Sequence, residues 1–379
     1  MIISTLQENL KKALFVTSGI AEKNINLPIL NSLKINAINK NIELISTNLE
    51  IGIIYNLRGQ VKEDGEIIID AKTLYNYVNL LPSKQINLES KNKNLEIHCD
   101  TYQTKINTEM NDDFPLIPQI EDDDYFIFNL GEFRKAISQV VFAVNYNENK
   151  PDISSVFFQF QDQELILAGT DTYRLAERKI KIKSKKNQKT ESEEESIKKI
   201  IIPIKTIQEI NRILSGLDPD LEKTEIKCVF NDNQVQFSFE NLKIISKLIN
   251  GRYPDYKQII PQDIRTTVII NRDELLRALK VSALFSEKET NDVCIDFPEN
   301  KNQVIVSSNL NQKGENITYL EANVNGKDNG IKINIRYILD GLQVIREKKI
   351  KLEIIDGESP CIMRGPLEKD FLYLIMPIQ

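Results

Sequence analysis

The chain has little of what reaction centres are made from. Its 379 residues include one histidine, His98. That residue lies in an alternating run (LEIHC) that reads as a strand, where a lone imidazole is structural far more often than catalytic. The four cysteines, Cys99, Cys228, Cys294 and Cys361, are widely spaced and form no CxxC pair. This excludes a zinc ribbon and a disulfide framework, and predicts buried free thiols in a reducing compartment. No GxxxxGK[ST] or GxGxxG loop is present to cradle phosphates, and no GxSxG elbow to carry a nucleophile. No apolar run approaches the ~20 residues of a membrane span. The opening MIISTLQENLKKALF lacks the basic-then-apolar order of a signal peptide. The expectation is a soluble, cytoplasmic protein that is not an enzyme and takes no cofactor or metal. The net charge of −6 argues, taken alone, against a nucleic-acid partner.

Much of the chain reads as short strands rich in Ile, Val and Phe. Examples are Glu66–Asp70, Leu95–Cys99, Glu164–Ala168, Gln234–Phe239, Gln303–Val306 and Ile350–Ile355, separated by clusters of Asn, Asp, Gly or Lys. Three helical stretches, Thr5–Thr17, Leu130–Val144 and Arg272–Phe285, share one apolar pattern. Leu10, Ala13 and Leu14 in the first correspond to Phe133, Ala136 and Ile137, then to Leu275, Ala278 and Leu279. A second set, Ala71–Leu81, Ile204–Ser215 and Ile335–Arg346, follows at the same rhythm, each directly after a strand. The unit therefore repeats three times, at about 120–130 residues. The middle copy is longer because of a charged, low-complexity loop at 183–199. Boundaries fall near Glu121–Asp124, four adjacent acids that read as a solvated linker, and near Pro261–Arg265.

Charge is segregated on this repeat. Each of the six helices carries a net +1, which leaves −12 for the remainder of the chain. An acidic protein built this way can still present a positive surface to phosphate. Lys72, Lys205 and Arg336 take equivalent places in the three units. The remaining polar run of note is Gly169–Ala176 (GTDTYRLA), where Asp171 reads as a turn-closing residue paired with Arg174 rather than as an aspartyl nucleophile.

Several segments together carry a family likeness. They are LPIL at Leu27–Leu30, TNLEIGI at Thr47–Ile53, DFP at Asp113–Pro115, GTDTYRLA, SKLINGRYPDY at Ser246–Tyr256 and the terminal YLIMPIQ. In that order they closely resemble the bacterial DNA polymerase III beta subunit family, the sliding clamps, over the whole chain. The resemblance implies an α+β clamp fold of three similar domains, at 1–122, 123–255 (with the loop 183–199) and 256–379. Each would have two helices on a channel side and sheets outside, and two chains would close head to tail around duplex DNA without sequence preference. It implies a groove for short peptides of partners: the polymerase III alpha subunit, the clamp loader and other clamp-binding proteins. The matching positions are Lys150, Ile153, Thr170, Thr172, Tyr173, Arg174, Leu175, Pro254, Gln258, Ile259, Tyr337, Pro360, Leu374, Ile375, Met376, Pro377 and Ile378. Leu175, Ile375, Met376 and the prolines would make an apolar cleft, with polar groups at its rim. The residues expected toward DNA are Lys11, Lys12, Lys23, Lys72, Arg134, Lys135, Lys205, Arg212, Arg277, Lys280, Arg336 and Arg346. Thr172 stands where the family often has Gly, and Lys150 where Arg is common, so peptide preference is expected to differ.

Two other readings compete. A β-rich regulator that does not encircle DNA would need a recognition helix, and no helix here clusters Arg, Asn and Gln suited to base edges. A hydrolase would have to work through Asp171.

Overall fold

In a computed structural model of the chain, all six helices form: α1 Gln7–Thr17, α2 Ala71–Leu80, α3 Leu130–Val141, α4 Ile204–Ser215, α5 Arg272–Ser282 and α6 Ile335–Val344. The structure describes residues 1–21, 26–109, 114–120, 125–161, 163–185, 197–287, 290–299, 301–310 and 314–378. Lys23, Asp113, the acidic run 121–124 and most of the loop 183–199 lie outside the described residues. Between the helices run short antiparallel strands, so the class is α+β as expected. No helix among the described residues is long and apolar enough to cross a membrane.

The shared apolar pattern is what each helix buries. Leu10, Ala13 and Leu14, then Phe133, Ala136 and Ile137, then Leu275, Ala278 and Leu279 are all buried. Residues three and four apart share one helix face, so each set makes a single stripe against its sheet. The ends are trimmed relative to the sequence pattern. Thr5 and Leu6 belong to the strand Ile2–Leu6, which pairs with Gln85–Lys91, so α1 starts only at Gln7. Side-chain caps define other starts. Asp70 accepts the Thr73 N–H at 2.7 Å before α2, Asn271 caps α5, and Asn334 accepts the Arg336 N–H at 2.9 Å before α6.

The chain divides into two compact units that do not coincide with the threefold repeat. One holds residues 1–131, 182–193 and 208–250, the other 132–181, 194–207 and 251–379. The cause is strand pairing between repeats. In the first unit, Ile51–Asn56 of the first repeat pairs with Leu242–Lys247 of the second, with Ile53 opposite Ile244. In the second unit, Arg174–Arg178 of the second repeat pairs with Phe371–Ile375 of the third, with Leu175 opposite Leu374. The middle repeat is therefore shared between the units. Among the thiols, Cys99, Cys228 and Cys361 are buried and Cys294 is only half-buried; all four are free. Burial pushes the Cys361 thiol up to about 12, which leaves it inert.

Candidate functional site

Seventeen residues expected to bind a peptide lie within the second unit, around the hairpin that joins Glu164–Thr170 to Arg174–Lys185. Its turn is closed by side chains. The Thr170 hydroxyl donates to the Arg174 carbonyl at 2.6 Å and accepts the Thr172 N–H at 3.0 Å. Asp171 Oδ1 accepts the N–H groups of Tyr173 and Arg174, each at 3.1 Å. Thr172 takes a left-handed φ of 80°, the conformation a Gly would adopt without steric cost. Asp171 is thus the turn-closing residue that its sequence context predicts.

Arg174 ties this turn to α6. Its Nε donates to Asp171 Oδ2 at 2.9 Å and its Nη1 to Asp340 Oδ2 at 2.6 Å. The guanidinium lies 4.6 Å from the Tyr337 ring centroid and 5.8 Å from that of Phe142. Tyr373, whose ring packs on Phe142, donates its hydroxyl to the Tyr337 carbonyl at 2.9 Å. The Arg174 and Asp171 side chains are 6% and 3% exposed. Burial, and then the Asp171 charge, raise the Tyr337 phenol above its ordinary value.

The chain's tail completes the wall. Beyond Ile375, the Met376 N–H donates to the Tyr173 carbonyl at 2.9 Å, Pro377 bridges to Ile333, and the Ile378 N–H reaches the Lys332 carbonyl at 2.8 Å. Pro360 precedes the strand Cys361–Arg364, which pairs with the tail strand. The segment carrying Pro254, Gln258 and Ile259 is pinned by Tyr256, whose hydroxyl donates to the buried Glu177 at 2.6 Å. Burial, then the Glu177 charge, drive that phenol far above its ordinary range. Lys150 lies in a turn whose carbonyl accepts the Ile153 and Ser154 N–H groups.

One expectation is corrected. Leu175, Leu374 and Ile375 are fully buried within the sheet, so they form a floor and offer no apolar surface. Thr170 and Arg174 are also buried and act through the turn. The accessible surface comes from exposed Lys150, Thr172, Tyr173, Pro254, Gln258 and Ile259, and half-buried Ile153, Tyr337, Pro360, Met376, Pro377 and Ile378.

The same turn is built a second time in the first unit. The Thr47 hydroxyl donates to the Ile51 carbonyl and accepts the Leu49 N–H, Asn48 Oδ1 accepts the Glu50 and Ile51 N–H groups, and Leu49 has a φ of 72°. Ile51 replaces Arg174 there, and Gly52 replaces Leu175. A Cβ at Gly52 would come within 2.7 Å of Ile117 Cγ2. The Thr and Asp of GTDTYRLA are therefore turn chemistry. What sets the second unit apart is Arg174 with Asp340, Phe142 and Tyr337. Asp340 and Phe142 escaped the sequence reading because no local pattern links them to Arg174.

The basic residues divide by environment. Lys11, Lys12, Lys72, Lys205, Arg277, Lys280, Arg336 and Arg346 are exposed, while Arg134 and Lys135 are half-buried. Lys135 Nζ pairs with Glu368 at 2.6 Å. Lys205 Nζ sits 4.6 Å from the ring centroid of Tyr146, an exposed aromatic that sequence reasoning missed. Arg212 is turned inward. It pairs with Glu209 at 2.7 Å, donates to the Phe15 and Val16 carbonyls at the end of α1, and lies 4.5 Å from the Phe15 ring centroid. Its guanidinium is spent on capping a helix, which corrects its assignment as a DNA contact. Arg212→Ala is expected to cost about 1–3 kcal/mol of stability through lost charged hydrogen bonds and to leave the salt dependence of DNA binding unchanged. Thermal melting and salt titration of the purified variant check the two halves.

Lys72, Lys205 and Arg336 are each the second residue of their helix, and the first turns of α2, α4 and α6 hold no acid. A cation there opposes the helix dipole by about 0.3–1 kcal/mol. Stability does not account for repeating that choice three times.

Comparison with known proteins matches three consecutive families to the chain. Residues 1–118, 128–255 and 257–379 match the N-terminal, central and C-terminal domains of the DNA polymerase III beta subunit. The chain is 29% identical over 368 residues to the beta sliding clamp of Staphylococcus epidermidis, covering 93% of this chain and 92% of that protein. It is 27% identical over 363 residues to that of Bacillus subtilis, covering 93% of each. The solved DNA polymerase sliding clamp from Bacillus subtilis superposes with a TM-score of 0.89 at 25% identity, covering 100% of this chain and 99% of that one. The DNA polymerase III beta subunit from Thermotoga maritima does so with 0.90 at 22% identity, covering 100% of both chains, which speaks to the fold alone.

Proposed function

Because this chain belongs to the DNA polymerase III beta subunit family, the sliding clamps, we propose that two copies close head to tail into a ring around duplex DNA, with one partner groove per chain. It is a non-catalytic processivity factor for DNA replication. A ring is held by topology, so its contacts to DNA can stay weak and indifferent to sequence, and sliding survives. We assign domains at 1–122, 123–255 and 256–379, a division supported by the three successive family matches. Localisation is cytoplasmic, in keeping with four unbridged thiols.

The observation that carries the ring is the repeated junction. Twice, the fourth strand of one repeat pairs with the last strand of the next: Ile51–Asn56 with Leu242–Lys247, and Arg174–Arg178 with Phe371–Ile375. The third such pair has no counterpart within one chain. The fourth strand of repeat three, at Gly314–Gly326, uses one edge on Gln303–Leu310 and pairs on the other only from Ala322 onward. The last strand of repeat one, Tyr102–Glu109, pairs on one edge with Asn94–Cys99 and on the other only through Thr108 and Glu109. Among the described residues both remaining edges are open. An open edge is a template for another chain.

The first junction gives a register. The hairpins Cys99–Tyr102 and Phe239–Leu242 correspond, each with a left-handed residue at the turn, so Lys105 takes the place of Ile245. Buried Val304 and Val306 correspond to Ile42 and Leu44, so Glu315 takes the place of Gly52. Gly52 faces Ile245. Glu315 is thereby set opposite the partner's Lys105, and Ile317 opposite the partner's Gln103.

The groove takes a linear peptide of a partner such as the polymerase III alpha subunit or the clamp loader. Truncation before Met376 is expected to abolish binding of a labelled clamp-binding peptide and leave the dimer mass unchanged. Fluorescence anisotropy and light scattering read these together, and retained peptide affinity would remove the groove assignment. Exposed Lys11, Lys12, Lys72, Lys205, Arg277, Lys280, Arg336 and Arg346 face the duplex in this reading, with Arg134 and Lys135 behind them.

A further inference from the structure

The second unit also holds a cavity of about 540 Å³ that the groove does not use. Four cations line it, Lys135, Arg178, Arg346 and Lys369, together with Glu347, Glu368 and Asp370. Two of the carboxylates are already committed. Glu368 accepts Lys135 Nζ at 2.6 Å, Arg178 Nη1 at 2.8 Å and Gln139 Nε2 at 3.1 Å. Burial would raise the Glu368 carboxyl, but the hydrogen bonds from Lys135 and Gln139 and the neighbouring positive charges outweigh it and hold it ionised. Glu347 accepts the Leu367 N–H at 3.3 Å. Lys135 is spent on Glu368, and Arg178 Nη2 also lies 3.6 Å from Glu132, so the unused capacity is that of Arg346, Lys369 and the Arg178 Nε. Arg178 is 4% exposed and its Nε has no hydrogen-bond partner. Arg346 and Lys369 are exposed and make no ion pair among the described residues.

A buried N–H donor left unpaired is costly, and a wall rich in Arg suits an oxyanion with several acceptor oxygens. We infer that this cavity seats one backbone phosphate of a DNA strand, with Arg346 and Lys369 at its mouth and Arg178 at its base. The source of the phosphate rests on the ring reading; the oxyanion chemistry does not. Lys369 lies on none of the six basic helices, so the site adds a contact that helix charge alone does not identify. Phosphate contacts carry no base information, which is compatible with sliding.

The test measures duplex affinity against salt concentration for the wild-type dimer, Arg346→Ala, Lys369→Ala and the double variant. One neutralised phosphate contributes about 0.9 to the slope of log affinity against log salt. Because both cations serve one phosphate, the double variant should flatten the slope by about 0.9, and neither single variant by more than that. An unchanged slope in the double variant overturns the assignment. So does an additive loss of about 1.8 in the double, which would mark two independent surface charges. Thermal melting in inorganic phosphate supplies the second arm. A phosphate-dependent rise in Tm that the double variant lacks, with the DNA slope unchanged, would assign the cavity to free phosphate and overturn the strand. Failure of the ring reading is seen separately, as a wild type that closed circular duplex does not retain.

Discussion

Arg174→Ala is expected to lower the stability of the second unit by about 3–5 kcal/mol, the cost of breaking a buried ion pair from one side. Asp171, whose side chain is 3% exposed, would lose its only cationic partner among the described residues. Asp340 would be released from the hairpin, and the Tyr337 ring would lose the guanidinium lying over it. The hairpin and the tail share backbone hydrogen bonds at Tyr173 and Met376, so a loosened turn also loosens the wall of the groove. Peptide binding should fall with stability. Arg174→Lys should recover only part of either, because an ammonium cannot span two carboxylates and lie flat on an aromatic ring. Calorimetric melting together with peptide anisotropy checks this. A variant that melts and binds like wild type would show that the Asp171–Arg174–Asp340 network does not hold the groove.

The second large effect concerns the junction between copies. Lys105→Glu would set a carboxylate opposite the partner's Glu315 and beside Glu96, the present partner of Lys105 at 2.7 Å. Like charges directly opposite on paired strands are destabilising. A closed ring contains the junction twice, so a loss of about tenfold at each compounds to about a hundredfold in dimerisation. Glu315→Lys alone should weaken the dimer similarly. The combination Lys105→Glu with Glu315→Lys should restore the charge pair across the junction and recover most of the loss, leaving only the repulsion from Glu96 within each chain. Sedimentation at several protein concentrations distinguishes the outcomes. Rescue fixes the register; equal weakening by the double variant rejects it.

The helices were legible because their information is local. Leu10, Ala13 and Leu14 repeat at Phe133 and Leu275 with helical spacing, and every one of these positions is buried. The turn at Asp171 was legible for the same reason, since its bonds span two or three residues. The junctions were not, because Ile53 meets Ile244 only by pairing between strands far apart in the chain. The division into units inherits that difficulty. Arg212 and Lys135 read as surface charge on helical faces, yet each found a carboxylate within reach. Leu175 and Ile375 match the family motif as cleft residues, but strand alternation does not say which face a neighbouring layer covers, and both lie beneath it. The Arg174–Asp340 tie is a long-range ion pair of the kind that leaves no mark on sequence spacing.

Encirclement is topological, and the direct measurement is the lifetime of the protein on DNA after loading. The ring predicts long retention on closed circular duplex and rapid loss when the same DNA is cut once, because a linear end lets the ring slide off. Equal lifetimes on the two forms would contradict encirclement.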